Sequence, residues 1–128
     1  MEYISSKSIQ GLDGDEHFDV VKQDFRYVVR DSTFLDGLTL STTFLAAQKS
    51  TSGHLHEGQE ELYFFIKGSG QMQINDQFIG VDQGDIICVE GGEFHKVYNT
   101  ADEGLLFACV FSGKGRNGSD DRRRTPTT

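Results

Sequence analysis

Hydrophobic and polar residues alternate in short runs along most of the chain, a pattern typical of β-strands. In the run ELYFFIK, positions 61, 63 and 65 would share one face of a strand, and positions 62, 64 and 66 the other. Runs rich in β-branched and aromatic residues predict further strands at residues 25–30, 38–47, 70–74, 77–81, 85–90, 95–99 and 105–111. No segment carries the apolar stripe that predicts a helix.

The stretches between these runs are rich in glycine and in polar residues that favour turns. The chain has 15 glycines and one proline among its 128 residues, which suits short strands joined by tight turns. Strands at roughly ten-residue intervals predict a single all-β sandwich or barrel domain over residues 1–113. The first 20 or so residues fit a short helix or an edge strand equally well. Residues 114–128 lack hydrophobic periodicity and predict a flexible polar tail.

Charge and cysteine content narrow the classes of function. A net charge of −8 argues against a nucleic-acid surface, which needs clustered lysine and arginine. Cys88 and Cys109 each lie in an apolar run, so we expect two buried, reduced thiols and no disulfide framework. The chain begins without an apolar signal-peptide core, and no stretch reaches the roughly 18 apolar residues of a membrane span. The sequence therefore predicts a cytoplasmic protein without a membrane partner.

The stretch GHLHEGQEELYFFIKGSG holds two of the four histidines and the first candidate chemistry. On a strand, His54 and His56 would point the same way and could converge on one metal ion. If Glu61 pairs with the histidine strand, its carboxylate joins them. Two histidines and one carboxylate suit divalent iron, and also manganese, nickel or zinc. A surface histidine pair beside a solvated acidic loop is the alternative interpretation.

A third histidine supports the metal interpretation. In GDIICVEGGEFHKVYN, His95 begins a predicted strand two residues after a Gly-Gly turn. Val97 and Asn99 would lie on the same face of this strand as His95. This histidine could supply a fourth ligand.

The spacing of these residues resembles the two motifs of the cupin superfamily, in particular its small single-domain, metal-binding members. The first motif reads G-x5-H-x-H-x(3,4)-E-x6-G, and His54, His56, Glu61 and Gly68 match it from its first histidine onward. The second reads G-x5-P-x-G-x2-H-x3-N, and the stretch from Gly84 to Asn99 matches it except at the proline. Residues 70–81 between the motifs read as the family's usual hairpin. Together the motifs cover residues 48–99.

Two positions depart from the cupin pattern. Gln48 stands where the first motif begins with glycine, and Glu90 stands where the second has proline. Both are turn positions and not ligands, so they bear on loop geometry more than on metal binding.

The resemblance implies a double-stranded β-helix, or jelly-roll, barrel that holds a divalent transition metal in its mouth. The implied ligands are His54, His56, Glu61 and His95. Glu60 competes with Glu61 because the motif also allows the shorter spacing, but only Glu61 leaves six residues before Gly68. The metal could be iron, manganese, nickel or zinc, with open positions for water or a bidentate small-molecule substrate.

The resemblance leaves the reaction open, and of three functions we prefer the first, a metal-dependent enzyme. The first is an isomerase or epimerase of a sugar or sugar phosphate, in which the cation would stabilise an enediolate and Glu60 or Tyr63 would move the proton. Against it, Lys49, Lys67 and Lys96 are scattered and form no phosphate site. The second is a non-haem iron dioxygenase. The third is a non-catalytic barrel that binds a small metabolite.

Cupins often form homodimers, through a sheet face or through exchanged N-terminal strands. The apolar run at residues 105–111 and the outward aromatic residues would serve such an interface. The expected partners are therefore a small-molecule substrate and a second copy of the chain.

Overall fold

The computed structural model describes Tyr3 and residues 16–113, and every regular element in this part of the chain is a β-strand. The strands are β1 (Phe18–Gln23), β2 (Tyr27–Ser32), β3 (Leu38–Leu45), β4 (Glu61–Lys67), β5 (Ser69–Ile74), β6 (Gln77–Asp82), β7 (Ile86–Val89), β8 (His95–Tyr98) and β9 (Leu105–Ser112). All eight predicted strands are present, and their ends differ from the prediction by at most two residues. The all-β prediction is confirmed.

The strands form two antiparallel sheets. The larger sheet has six strands in the order β1-β2-β3-β9-β4-β7, and the smaller has three in the order β6-β5-β8. One buried core joins both sheets, since Phe65 and Phe107 of the larger sheet cluster with Met72 and Val97 of the smaller. The edge strand β1 covers residues 18–23, at the end of the N-terminal stretch for which a helix and a strand were both considered.

Strand alternation explains which side chains enter this core. In β4, Glu61, Tyr63 and Phe65 are buried, while Leu62 and Phe64 face outward and are 42% and 43% exposed. The buried side chains of β4 therefore point into the space between the two sheets. In β5, Met72 and Ile74 are buried in the same core.

The β5–β6 hairpin positions the start of β8. Ile74 pairs with Gln77, so Asn75 and Asp76 form a two-residue loop, and Asn75 adopts φ 51°. Asparagine tolerates this left-handed backbone better than most residues. The backbone N–H of Asn75 donates to Phe94 O at 2.8 Å, and its side-chain oxygen accepts from Phe94 N at 3.0 Å. The hairpin turn thus fixes the residue directly before His95.

One sequence-based expectation about the cysteines is wrong. Cys109 is buried, but Cys88 is exposed, because it lies on the outer face of β7 opposite Leu62. The apolar residues around Cys88 therefore lie on both faces of β7, the strand at the edge of the larger sheet. The predicted tail at 114–128, and residues 1, 2 and 4–15 of the undecided N-terminal stretch, lie outside the described residues. Within the described part, no helix is long and apolar enough to span a membrane.

Candidate metal centre

The two histidines of the first motif lie in the loop between β3 and β4, and this loop is not the strand that the sequence predicted. Only His54 makes a bridge, an isolated antiparallel one with His95. The N–H of His54 donates to His95 O at 3.0 Å, and the N–H of His95 donates to His54 O at 2.8 Å. Burial still alternates over this stretch, since Leu55 is exposed between the half-buried His54 and the buried His56.

The glycines of the second motif let the turn before β8 lie directly against this loop. Gly92 N–H donates to His56 O at 2.6 Å. A Cβ on Gly91 would meet Gly58 N at 2.9 Å and Gly58 Cα at 3.1 Å, so no larger residue fits without a backbone shift. The Gly-Gly pair thus holds His56 at the turn that leads into His95.

Three donor groups converge at this junction. The ligand atoms of His56, Glu61 and His95 all lie within 4.8 Å of one another. His56 Nε2 is 3.2 Å from Glu61 Oε2, and His95 Nε2 is 3.5 Å from Glu61 Oε1. The exposed fractions of the three residues are 6%, 3% and 2%, so the cluster is buried. Among the described residues the structure brings Glu61 to the histidines, while Glu60 is exposed.

The orientation of the His95 ring suits metal binding. Its Nδ1 lies 3.1 Å from the carbonyl oxygen of Glu93. A carbonyl only accepts hydrogen bonds, so Nδ1 carries the proton and Nε2 presents its lone pair to the cluster. A backbone partner of this kind is typical of metal-binding histidines. The ring also stacks on His56, with centroids 5.6 Å apart.

The donor set fits a divalent transition metal. Two neutral imidazoles and one carboxylate are the ligands of common metal sites with open coordination positions. His95 Nε2 is buried and has no hydrogen-bond partner within the described structure, as expected for an atom that would bind a cation. His56, Glu61 and His95 could therefore hold a metal ion together.

His54, the fourth expected ligand, lies beside this cluster and not within it. Its ring centroid is 6.3 Å from that of His56. Its backbone bridge to His95 keeps it at the outer side of the site, where it is half-buried. The structure thus brings together three of the four expected ligands, and the role of His54 stays a prediction.

The two candidate acid–base residues differ in burial. Tyr63 is fully buried, and its ring meets the His95 ring edge-on at 5.8 Å. Glu60 is exposed and lines an open cavity of about 400 Å³ that Glu61, Leu62 and Val110 also line. Tyr63 therefore meets the cluster through a ring contact, while Glu60 shares a cavity with Glu61.

Sequence reasoning missed one neighbour of the cluster. Cys109 of β9 was expected to serve packing, yet its Sγ lies 3.3 Å from Glu61 Oε1. In β9, Cys109 pairs with Tyr63, and Phe111 pairs with Glu61. Phe111 lies two residues after Cys109 in the same strand. Because alternate residues of a strand share a face, a buried Phe111 would have predicted that Cys109 also points into the core.

A surface ion pair tethers the start of the histidine loop. Arg26 donates from Nη1 to Ser52 Oγ at 3.0 Å and forms a salt bridge with Asp24 at 2.9 Å. The side-chain and backbone hydrogen bonds from Arg26 lower the pKa of Asp24 below its usual value. The β1–β2 turn thereby holds the loop two residues before His54.

Comparison with known proteins agrees with the fold. A sequence model of the cupin domain matches residues 42–111, more than half of the chain. The chain therefore belongs to the cupin family, and the jelly-roll prediction is confirmed.

Relatives and solved structures extend this comparison. An oxalate-binding protein of Thermotoga maritima is 33% identical over 57 residues, which cover 44% of this chain and 47% of that protein. The match thus spans about half the length of this curated relative. A structure from Thermotoga maritima described as a predicted oxalate decarboxylase has a TM-score of 0.63 at 21% identity, covering 78% of this chain and 95% of that one.

A further structural neighbour is the Bacillus subtilis oxalate decarboxylase, in a study of its Mn(II) centers. It has a TM-score of 0.67 at 17% identity and covers 75% of this chain and 28% of that one. At these identities the structural likeness establishes the fold.

Proposed function

We propose that the protein binds a divalent transition metal through His56, Glu61 and His95, with His54 as the fourth ligand. The observation that carries the proposal is the buried convergence of three donor groups within 4.8 Å. Because the ligands carry one negative charge in total, a bound dication keeps a net positive charge and attracts an anionic ligand. Manganese and iron are the first candidates, and the Mn(II) centers of the Bacillus neighbour support manganese.

The ligand that we propose is a small carboxylate that binds the cation through two oxygens, with oxalate as the first example. The printed name of the Thermotoga relative, an oxalate-binding protein, supports this class. The sugar-phosphate alternative has less support from the described lysines. Lys49 lies over the ring of Phe25 at 5.3 Å, and Lys96 over the outward-facing ring of Tyr98 at 5.0 Å.

The chain's own side chains would then shape the site and exclude water from it. The metal, when bound, supplies a positive charge that binds and polarises the ligand's oxygens. Tyr63, which is fully buried against His95, closes the inner side of the site and is the better placed candidate to move a proton. Glu60 is exposed and lines a cavity together with Glu61, so it stays the second candidate.

Three kinds of assay separate binding from catalysis. Oxalate is titrated calorimetrically into the manganese-loaded protein, the metal-free protein and the H95A variant, and we expect binding only to the first. Conversion of oxalate, oxygen consumption with iron, and interconversion of sugar phosphates then test decarboxylase, dioxygenase and isomerase activity. A protein that takes up no divalent metal contradicts the metal centre, whereas metal uptake without oxalate binding contradicts the ligand class.

We further propose that the protein is a cytoplasmic homodimer. The outer face of the larger sheet carries a continuous apolar patch of Leu62, Phe64, Ile86 and Val110, which are between 36% and 60% exposed. The strand register places these residues side by side on β4, β7 and β9. A patch of this kind on a sheet face supports a protein partner.

Charge favours a second copy of the chain as that partner. Strand β4 follows the exposed Glu60 and ends at the exposed Lys67. Two copies related by a two-fold axis, with their β4 strands antiparallel, would place each acid near the other copy's base. Light scattering of the wild type and of F64E tests this. A monomer in the wild type contradicts the dimer, and an F64E variant that stays dimeric contradicts this face.

A further inference from the structure

The carboxylate of Glu61 has different neighbours at its two oxygens. Oε1 lies 3.3 Å from the Cys109 thiol sulfur, and Oε2 lies 3.2 Å from His56 Nε2. Cys109 is 1% exposed and Glu61 is 3% exposed, so both groups are shielded from water. Since an ionised carboxylate only accepts hydrogen bonds, the thiol is the donor in this contact.

The register of the larger sheet builds this contact. Glu61 pairs with Phe111 and Tyr63 pairs with Cys109, which makes Glu61 and Cys109 diagonal neighbours on one face of the β4–β9 pair. Diagonal side chains on adjacent strands are within reach of each other. The β3 strand flanks Cys109 from the other side, where Ser41 pairs with it. The thiol is therefore held by two neighbouring strands and not by a loop.

Cys109 is not itself a member of the metal-binding group. The donor atoms that lie mutually within 4.8 Å belong to His56, Glu61 and His95. The thiol contacts the carboxylate at Oε1, which lies 3.5 Å from His95 Nε2. We propose that Cys109 is a positioning residue, whose thiol donates a hydrogen bond to Glu61 Oε1 and so presents Oε2 as the single oxygen that binds the metal.

The physical reason is the rotational freedom of a carboxylate. Without a donor at Oε1, the Glu61 carboxylate can turn and offer both oxygens to one cation. A donor held by strand packing fixes the rotation before the metal arrives, which lowers the cost of ordering the ligand on binding. A one-oxygen ligand also leaves one more coordination position for a bidentate small molecule.

This inference rests on the proposed metal centre, and its test is designed to separate the two. The full-length wild type, C109A and C109S are titrated with Mn(II) alone, and C88A serves as the matched control because Cys88 is exposed on the outer face. We expect C109A to bind Mn(II) roughly 10- to 100-fold more weakly, the range for loss of an outer-shell partner. C109S should fall between C109A and the wild type, since its shorter side chain donates to Glu61 only if the carboxylate moves. C88A should bind as the wild type does.

Infrared spectra give a readout that a purely structural role would not move. In the manganese-loaded wild type, the separation of the symmetric and antisymmetric carboxylate stretching bands should be that of a one-oxygen ligand. In C109A it should shift to that of a two-oxygen ligand. The S–H stretching band of C88A, which then reports Cys109 alone, should have the lowered frequency of a hydrogen-bonded thiol with and without Mn(II). This measurement needs no substitution at Cys109, so it holds even if C109A fails to fold.

The outcomes are distinct. If the wild type takes up no Mn(II), the metal centre and this inference both fall. If the wild type binds Mn(II) but C109A has the same affinity and the same carboxylate bands, only the positioning role falls. Loss of the S–H band when Mn(II) is added would make Cys109 a thiolate ligand and would equally overturn the positioning role.

Discussion

His54 and His95 exchange both of their backbone hydrogen bonds, at 3.0 Å and 2.8 Å, although 40 other residues separate them in the chain. This bridge fastens the histidine loop to the start of β8. It brings the first and second cupin motifs to one place, so that side chains from both can bind one ion. Backbone pairing between the motifs therefore positions the residues that we propose as ligands.

Removal of a buried histidine should abolish tight metal binding. H56A and H95A each delete a nitrogen from the three-residue cluster, and we expect metal affinity to fall by more than the roughly 100-fold that follows loss of an outer-shell partner. Metal content after dialysis, measured by mass spectrometry, checks this. H17A is the control, because His17 packs against Phe34 outside the cluster. Unchanged metal content in both variants would contradict the site.

His54 should matter less than His95. Its ring is half-buried and lies outside the three-residue group, so H54A should weaken Mn(II) binding but leave a measurable affinity. Competition with a chelator measures the difference between H54A and H95A. If H54A binds Mn(II) with wild-type affinity, His54 is not a ligand. If H54A and H95A both bind Mn(II) as the wild type does, the assignment of the metal centre is wrong.

The strand pattern predicted most of the fold because side chains of β4 and β8 alternate cleanly between core and surface. Glu61–Lys67 was predicted at its observed bounds, and His95, Val97 and Asn99 are all buried on one face as expected. The histidine loop is not a strand, and two isolated bridges, Ser50–Tyr98 and His54–His95, replace one there. There, turn conformation and contacts with Gly91 and Gly92 decide where His56 points, and neither is encoded in hydrophobic periodicity.

The structure explains the two departures from the cupin motifs. Glu90 replaces a proline, and its backbone N–H donates to Glu93 Oε1 at 2.8 Å, a bond that proline could not make. Gln48 replaces a glycine and adopts φ 63°, the left-handed conformation that glycine favours. Its side chain offsets this by donating to the carbonyl oxygens of Thr100 and Ala101 at 3.1 Å and 3.0 Å.

Gln48 should therefore tolerate glycine better than alanine. Q48A keeps the strained backbone and loses the hydrogen bonds to Thr100 and Ala101, so we expect it to lower the free energy of unfolding by about 1–3 kcal/mol. Q48G loses the same bonds but relieves the strain, which should recover about 1 kcal/mol of this. Urea unfolding of both variants gives the order. A Q48A protein as stable as Q48G would show that the backbone at this position is not strained.

Gly91 should be essential to the histidine loop. A Cβ at this position meets Gly58 N at 2.9 Å, and the contacted atoms are backbone that cannot rotate away. We expect G91A to lower the free energy of unfolding by about 1–3 kcal/mol and to weaken metal binding, because the loop that carries His56 must shift. G80A is the control, since a Cβ on Gly80 meets nothing within 4 Å. Wild-type metal affinity in G91A would contradict the coupling.

Asn99, the last residue of the second motif, should be a structural residue whose donors matter more than its size. Its Nδ2 donates to the carbonyl oxygens of Leu45, Ala46 and Glu103 at 3.1, 3.2 and 2.7 Å, and its Oδ1 accepts from Ala101 N. N99D has nearly the same shape but turns a buried carboxylate toward three carbonyl oxygens.

We therefore expect N99D to be less stable than N99A, although alanine removes more atoms. N99A leaves acceptors unpaired at a cost of about 1–3 kcal/mol, while N99D adds the desolvation of a charge and its repulsion from the carbonyl groups. Thermal and urea unfolding at pH 7 rank the two variants. The opposite order would mean that the volume of the Asn99 side chain, and not its hydrogen-bond donors, holds the end of β3 against the turn before β9.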